Sequence, residues 1–328
     1  MRKLFASAAG AVLVLAGGGF GYMTMKRPAS APPAALSIEP SAARLERGKY
    51  LYENLTDCDG CHSPRDFSRF GGPVIEGRKG EGITFPKELG LPGEVSPPNI
   101  TPDRETGLGA WSDGEIVRAI REGIGRDGRA LFPMMPYSFY RAMSDDDVYS
   151  LVAYLRSLAP ARHAVPKTRI DFPVWFFMKD APQPVSAPVP PPDRLNRLKY
   201  GEYLATLAGC AECHTQEKNG QMIPGMTFAG GREFRFPGLI VVSANITPDH
   251  ETGIGRWTEQ QFLEKFAEYK VYDANNSPKV GPEGFTLMPW LNFSGLPAED
   301  LGAIFTYLKA QAPVKNAVET HPGYPSKK

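Results

Sequence analysis

The chain has 328 residues, of which 42% are hydrophobic, and its 37 basic side chains almost cancel its 36 acidic ones. So even a balance leaves no field to attract nucleic acid or another highly charged partner, and the apolar fraction excludes a disordered chain. At this length two ordinary domains are expected.

In chain order, the first element is Met1-Arg2-Lys3 followed by an apolar run over residues 4–25 and closed by Lys26-Arg27. Those 22 residues exceed the roughly 7–15 of a cleaved signal's apolar region and suffice to cross a hydrocarbon layer of about 30 Å. Residues 1–27 are therefore expected to be an export signal retained as an N-terminal transmembrane helix, followed by a linker over 28–40. Arg2 and Lys3 would stay cytoplasmic, which leaves the rest of the chain at the inner membrane facing the periplasm.

From residue 41 one unit is written twice. "NITPDRETGLGAWS" at 99–112 returns as "NITPDHETGIGRWT" at 245–258, "RLERGKYL" at 44 returns as "RLKYGEYL" at 197, and "MPY" at 135 as "MPW" at 288. Two homologous domains follow, over 41–160 and 194–313, with a proline-rich linker over 161–193 and a tail over 314–328. The "PVWFFM" patch inside the linker is expected to dock on a domain.

Each unit is expected to be mostly helical with long loops. Residues 44–55 read as a helix leading into the cysteines. Ser112 and Glu115 form a capping box that opens a second helix, and Thr258 and Gln261 repeat it. The closing helices show one apolar face each: Val148, Leu151, Val152 and Leu155, against Leu301, Ile304, Phe305 and Leu308.

All four cysteines fall in two pentads, "CDGCH" at 58–62 and "CAECH" at 210–214. Positions i, i+3 and i+4 share one helix face, so two sulfurs and an imidazole point the same way. That arrangement suits a covalently bound haem c, held by Cys58 and Cys61 with His62 on its iron in one unit, and by Cys210, Cys213 and His214 in the other. A shared zinc site, a disulfide within each pair, and a thioredoxin-like dithiol are the competing readings, and each leaves the paired histidines without a role.

A haem iron held by histidine on one side takes a second axial ligand, and methionine in that place raises the reduction potential. Met135 and Met288 sit at matching points, 77 residues after Cys58 and 78 after Cys210, each followed by proline and an aromatic. Met134 is the rival in the first unit, but its counterpart, Leu287, cannot ligate. His163, His250 and His321 are read as surface residues. Trp111 and Trp257 are read as core, and Asn99 and Asn245 as turn formers first.

With these residues in view, the chain resembles the cytochrome c subunits of membrane-bound alcohol and gluconate dehydrogenases and related diheme c-type cytochromes. The resemblance rests on the two pentads, the "NITPD-x-ETG-[LI]-G-x-W" segment and the "MP-aromatic" loops, and it covers residues 41–313. It implies an all-α fold of two tandem cytochrome c domains and two covalently bound haem c groups. Cys58, Cys61, Cys210 and Cys213 would bind the porphyrins, with His62, Met135, His214 and Met288 on the irons. The implied role is passing electrons from a periplasmic dehydrogenase, or another redox protein, toward the respiratory chain and a terminal oxidase. Those subunits carry three haem motifs where this chain has two. A diheme peroxidase and a diheme sulfur-compound oxidoreductase are the enzyme alternatives; a peroxidase needs an open or displaceable sixth iron position.

Overall fold

The computed structural model describes residues 21–218 and 220–324. In the first unit the helix Ala42–Tyr50 runs on through a π-helical turn, Leu51–Leu55, to the short pentad helix Asp59–His62. Asp113–Glu122, Tyr137–Tyr140 and Asp145–Ser157 follow. The second unit presents Arg197–Leu207, Cys210–Cys213, Glu259–Ala267, Trp290–Phe293 and Ala298–Lys309 in the same order. Both expected capping boxes are formed, with reciprocal bonds between Ser112 and Glu115 and between Thr258 and Gln261. Every residue of the two apolar faces named on the closing helices is buried.

The first and last helices of each unit cross at a glycine. A β-carbon on Gly48 would collide with the backbone oxygen of Ser150, and one on Gly201 with that of Ala303. These are equivalent positions of the "RLERGKYL" and "RLKYGEYL" segments. Here glycine is used for close backbone approach, and its own φ is helical.

The all-α expectation needs correction. Among the described residues helix accounts for about 34%, and three two-stranded antiparallel sheets interrupt the loops. Glu233–Phe236 pairs with Leu239–Val242 around Pro237-Gly238, where Gly238 has a φ of 74°. Aromatic and β-branched residues on either side of a Pro-Gly turn favour a hairpin over a helix. Gly93–Glu94 pairs with Arg169–Ile170, so the segment after the first unit folds back on it, and Val174–Phe177 forms a short helix there. The transmembrane helix is corrected likewise: no helix among the described residues is long and apolar enough to cross a membrane. Residues 1–20 of that expected span lie outside the described residues, and residues 21–25 are helical.

The units meet through reciprocal contacts. Tyr50 of the first donates to Asp300 of the second at 2.5 Å, and Tyr203 of the second donates to Asp147 of the first at 2.5 Å. The tyrosines are equivalent in the repeat, and so are the aspartates. Each aspartate also takes a bond from its own unit: Arg47 grips Asp147 through both oxygens, and Tyr200 donates to Asp300 at 2.9 Å. Elsewhere in the contact, Asn54 donates to the Asn292 carbonyl while Asn292 donates to that of Glu53. Phe70 stacks on Tyr269 with ring centroids 5.1 Å apart.

Candidate cofactor site

The π-helical turn and Thr56 lead directly into the first pentad, with Thr56 Oγ1 3.2 Å from Cys58 Sγ. Neither cysteine pair is closed as a disulfide. Burial pushes the thiols of Cys58, Cys61 and Cys210 up to about 12 and that of Cys213 up to about 11. They are therefore neutral thiols at pH 7, unlike the low-pKa thiolates of a redox dithiol.

Both pentad histidines are fixed through the nitrogen that would not face a metal. His62 Nδ1 lies 2.8 Å from the Pro98 carbonyl and His214 Nδ1 lies 2.7 Å from the Ala244 carbonyl. A carbonyl only accepts, so Nδ1 carries the proton in each ring and Nε2 keeps its lone pair. Burial lowers both histidine pKa values, which favours the neutral, ligating form. A carbonyl partner of this kind orients a ligating histidine and raises its basicity.

The repeated "NITPD" loop supplies those carbonyls. Asn99 Oδ1 accepts from the Thr101 backbone and hydroxyl at 2.9 and 2.7 Å, while its Nδ2 reaches the Thr106 hydroxyl and the Ala161 carbonyl at 3.0 and 2.7 Å. Asn245 repeats this with Thr247, Thr252 and Val314. Each asparagine thus clamps its loop to the segment leaving its unit. The carbonyl just before it is held against the histidine. Opposite, Gly82 and Gly230 donate to the His62 and His214 carbonyls, at 2.8 and 2.7 Å. Both have positive φ, and a β-carbon on either would collide with the asparagine backbone.

The methionine loops also match. Pro136 (φ −83°, ψ 46°) and Pro289 (φ −77°, ψ 60°) each centre a three-residue turn closed by a bond from the aromatic N–H to the methionine carbonyl, at 2.8 Å for Tyr137 and 2.7 Å for Trp290. These are inverse γ-turns, and the proline ring pre-sets the φ they need.

One cavity of about 1750 Å³ runs through both units. Cys58, Cys61, His62 and Met135 line it from the first unit; Cys210, Cys213, His214 and Met288 line it from the second. Met134 also lines it, as does Leu287. The rest of the wall is largely core: Ile116, Ile120, Leu151 and Leu155 on one side, Phe262 and Ile304 among others on the second. The volume exceeds the roughly 300–1,000 Å³ of an ordinary small-molecule site. Paired thiols, a neutral imidazole and a thioether beside an apolar wall fit a thioether-bound haem. Among the described residues no group of three or more His, Cys, Asp or Glu is placed to hold a bare metal ion.

Several residues enter this site that sequence reasoning assigned elsewhere. The first unit's side of the cavity carries Lys26, Arg27, Arg126, Arg129, Lys167 and Lys179, two of them from the segment after that unit. Trp175 of the aromatic patch lines it as well, while Phe172 and Phe177 stay exposed. His321, read as a surface residue, lines the second side, with Nε2 2.7 Å from the Phe285 carbonyl. His163 is tied to the Glu81 carbonyl at 2.9 Å. Trp111 packs on the core and lines the cavity; Trp257, also on the wall, is 37% exposed.

Residues 45–159 match the cytochrome c family. The chain is 30% identical to the fructose dehydrogenase cytochrome subunit of Gluconobacter japonicus, over 99% of this chain and 64% of that protein. It is 29% identical to the gluconate 2-dehydrogenase cytochrome c subunit of Pantoea cypripedii, over 85% and 62% respectively. Against a diheme c-type cytochrome of Cereibacter sphaeroides it is 28% identical, over 92% and 96%. The chain therefore spans less than two thirds of the two dehydrogenase subunits. Cytochromes c hold haem c covalently, a chemistry that a C-x-x-C-H pentad suits. This chain contains a cytochrome c domain and is a homologue of the cytochrome c subunits of dehydrogenases and of a diheme c-type cytochrome.

Proposed function

We propose that the chain is a diheme c-type cytochrome of two tandem units, which takes electrons from a dehydrogenase and passes them toward the respiratory chain on the periplasmic side of the inner membrane. The observation that carries this reading is the matched set on one cavity wall, two cysteines, a histidine and a proline-stiffened methionine from each unit. Bound there, haem supplies a reversible one-electron ferric–ferrous couple. The chain's own part is to hold position. His62 and His214 keep their protons on Nδ1 against a carbonyl and offer Nε2 as ligand, while Met135 and Met288 offer a thioether from a stiff turn. Relatives named as subunits of fructose and gluconate dehydrogenases support a dehydrogenase as donor; a terminal oxidase downstream belongs to the proposal alone.

A peroxidase would need one iron position open or displaceable. Met135 and Met288 as ligands would leave neither position vacant, which favours the carrier reading. The reduced protein is expected not to bind carbon monoxide, and the oxidised protein is expected to show the methionine-to-ferric-iron charge-transfer band without turning over peroxide. Met135→His and Met288→His are each expected to lower one midpoint potential and leave the other nearly unchanged, because imidazole favours the ferric state relative to thioether. Carbon monoxide binding by the parent protein, or peroxide turnover, would transfer the chain to the enzyme class.

A further inference from the structure

The units differ at the residue before the first cysteine. In the second, Gly209 is left-handed with a φ of 66°, which glycine adopts readily. In the first, the same place is held by Asp57, with a φ of 43°, an uncommon conformation for a residue with a β-carbon. Inside the pentads the exchange is reversed, with Gly60 where the second unit has Glu212. A β-carbon on Gly60 would lie 2.7 Å from Asp57 Oδ2, and one on Gly209 would lie 3.6 Å from Glu212 Oε2. Asp57 and Glu212 thus set a carboxylate of each unit on this wall, one just before its pentad and one inside it.

Asp57 is enclosed, with its side chain 16% exposed beside the cofactor cavity. Arg65 Nη1 donates to Oδ2 at 3.3 Å, while the buried Oδ1 has no protein partner. Burial is the largest influence on the carboxyl and pushes it up to about 6, against the pull of Arg65 and with Asp59 adding to the rise. The charged and titratable groups around it are Arg65 and Asp59, with Glu212 reaching Cys61 from the second unit; the Cys58 and Cys61 sulfurs would carry no titratable proton once haem is attached. Tyr140 closes the region from the methionine loop, its hydroxyl donating to the Thr56 carbonyl at 3.3 Å.

We infer that Asp57 is a redox-linked protonation site for the cofactor of the first unit, its half-partnered carboxylate taking up a proton as the neighbouring iron takes up an electron. The inference rests on the proposed haem at Cys58 and Cys61. The balance is simple. One electron from a one-electron donor protein, or from a mediated electrode, takes ferric iron to ferrous, and one proton from water adds to an Asp57 oxygen. No other bond changes, and the site keeps its net charge. The cause is electrostatic, since removing positive charge from a poorly solvated wall raises the proton affinity of a carboxylate beside it. Gly209 itself carries no such group; the second unit's carboxylate on this wall is Glu212, which faces Arg232 and Glu217.

The test is a redox titration of the whole haem-loaded protein between about pH 5 and 8, with redox-difference infrared spectra of the protonated-carboxyl band. The first unit's wave is identified as the one that Met135→His displaces. Its midpoint is expected to fall as pH rises through the region of 6. Asp57→Asn is expected to remove that slope and the carboxyl band, and so is Asp57→Gly, which carries the residue the second unit uses in this backbone conformation. A slope and band that persist in both variants overturn the inference. A haem count by pyridine haemochrome separates the two readings. No haem at the first pentad of the parent protein overturns the site itself, whereas haem there without an Asp57-dependent slope overturns only the protonation role.

Discussion

Replacing Cys58 and Cys61 together with serine is expected to abolish covalent haem attachment in the first unit and to unfold much of that unit. Ile116, Ile120, Leu151 and Leu155 belong at once to its hydrophobic core and to the cavity wall, so the proposed haem's surface would be part of what they pack against. Burying one such side chain is worth about 1.5–3 kcal/mol. Four of them together approach the roughly 5–15 kcal/mol that separates a folded domain from its unfolded chain. Covalent retention holds the group at its site whatever its free concentration, and the double variant loses that. Mass spectrometry of peptides spanning residue 58 should show no porphyrin adduct, while peptides spanning residue 210 keep theirs. Far-UV circular dichroism should show lost helix. Full helical content in a variant without the adduct would mean that the apolar wall is stable on its own.

Asp147→Ala is expected to cost about 3–5 kcal/mol, the usual consequence of removing one partner from a buried ion pair. Asp147 is buried, accepts two bonds from Arg47 at 2.8 Å each, and receives the Tyr203 hydroxyl from the other unit. Alanine leaves the guanidinium and the hydroxyl without that acceptor in a place where water enters poorly. Asp300→Ala should cost less. Its two tyrosine partners are neutral, and the arginine nearest it, Arg194, lies 3.7 Å away with its side chain 57% exposed. Chemical denaturation of the haem-loaded variants measures both. Equal costs would show that the neutral hydrogen bonds carry as much as the ion pair.

The parts of this molecule written in local chemistry could be read before the structure. Ser112 with Glu115, Thr258 with Gln261, and the apolar spacing of the closing helices each specify a helix start or a buried face with no help from distant residues. The pentads and the "MP-aromatic" loops stood out because the proposed function demands particular residue types at short, repeated spacings, and the structure brings their cysteines, histidines and methionines to one cavity. What escaped depended on contacts across long separations. The Arg169–Ile170 strand pairs with Gly93–Glu94 only after the chain has folded back, and nothing in its own residues announces that. Asn99 reads as a turn former, and it is one; that its turn presents the Pro98 carbonyl to His62 follows from the chain approaching itself across 36 residues. The hairpin at Pro237-Gly238 did carry a local sign, but a helical expectation for the whole unit obscured it.

The crossed tyrosine–aspartate pairs bear on how the molecule chooses its own assembly. Each unit presents both a donor and an acceptor in the same relative places, as a subunit of a twofold-symmetric dimer does. Two copies of one unit would therefore satisfy the same bonds as the mixed pair. Tethering through the proline-rich segment raises the local concentration of the correct neighbour to about the millimolar range, well above that of any free competitor. Fusion into one polypeptide thus selects the pairing of first unit with second without requiring its contact surface to discriminate.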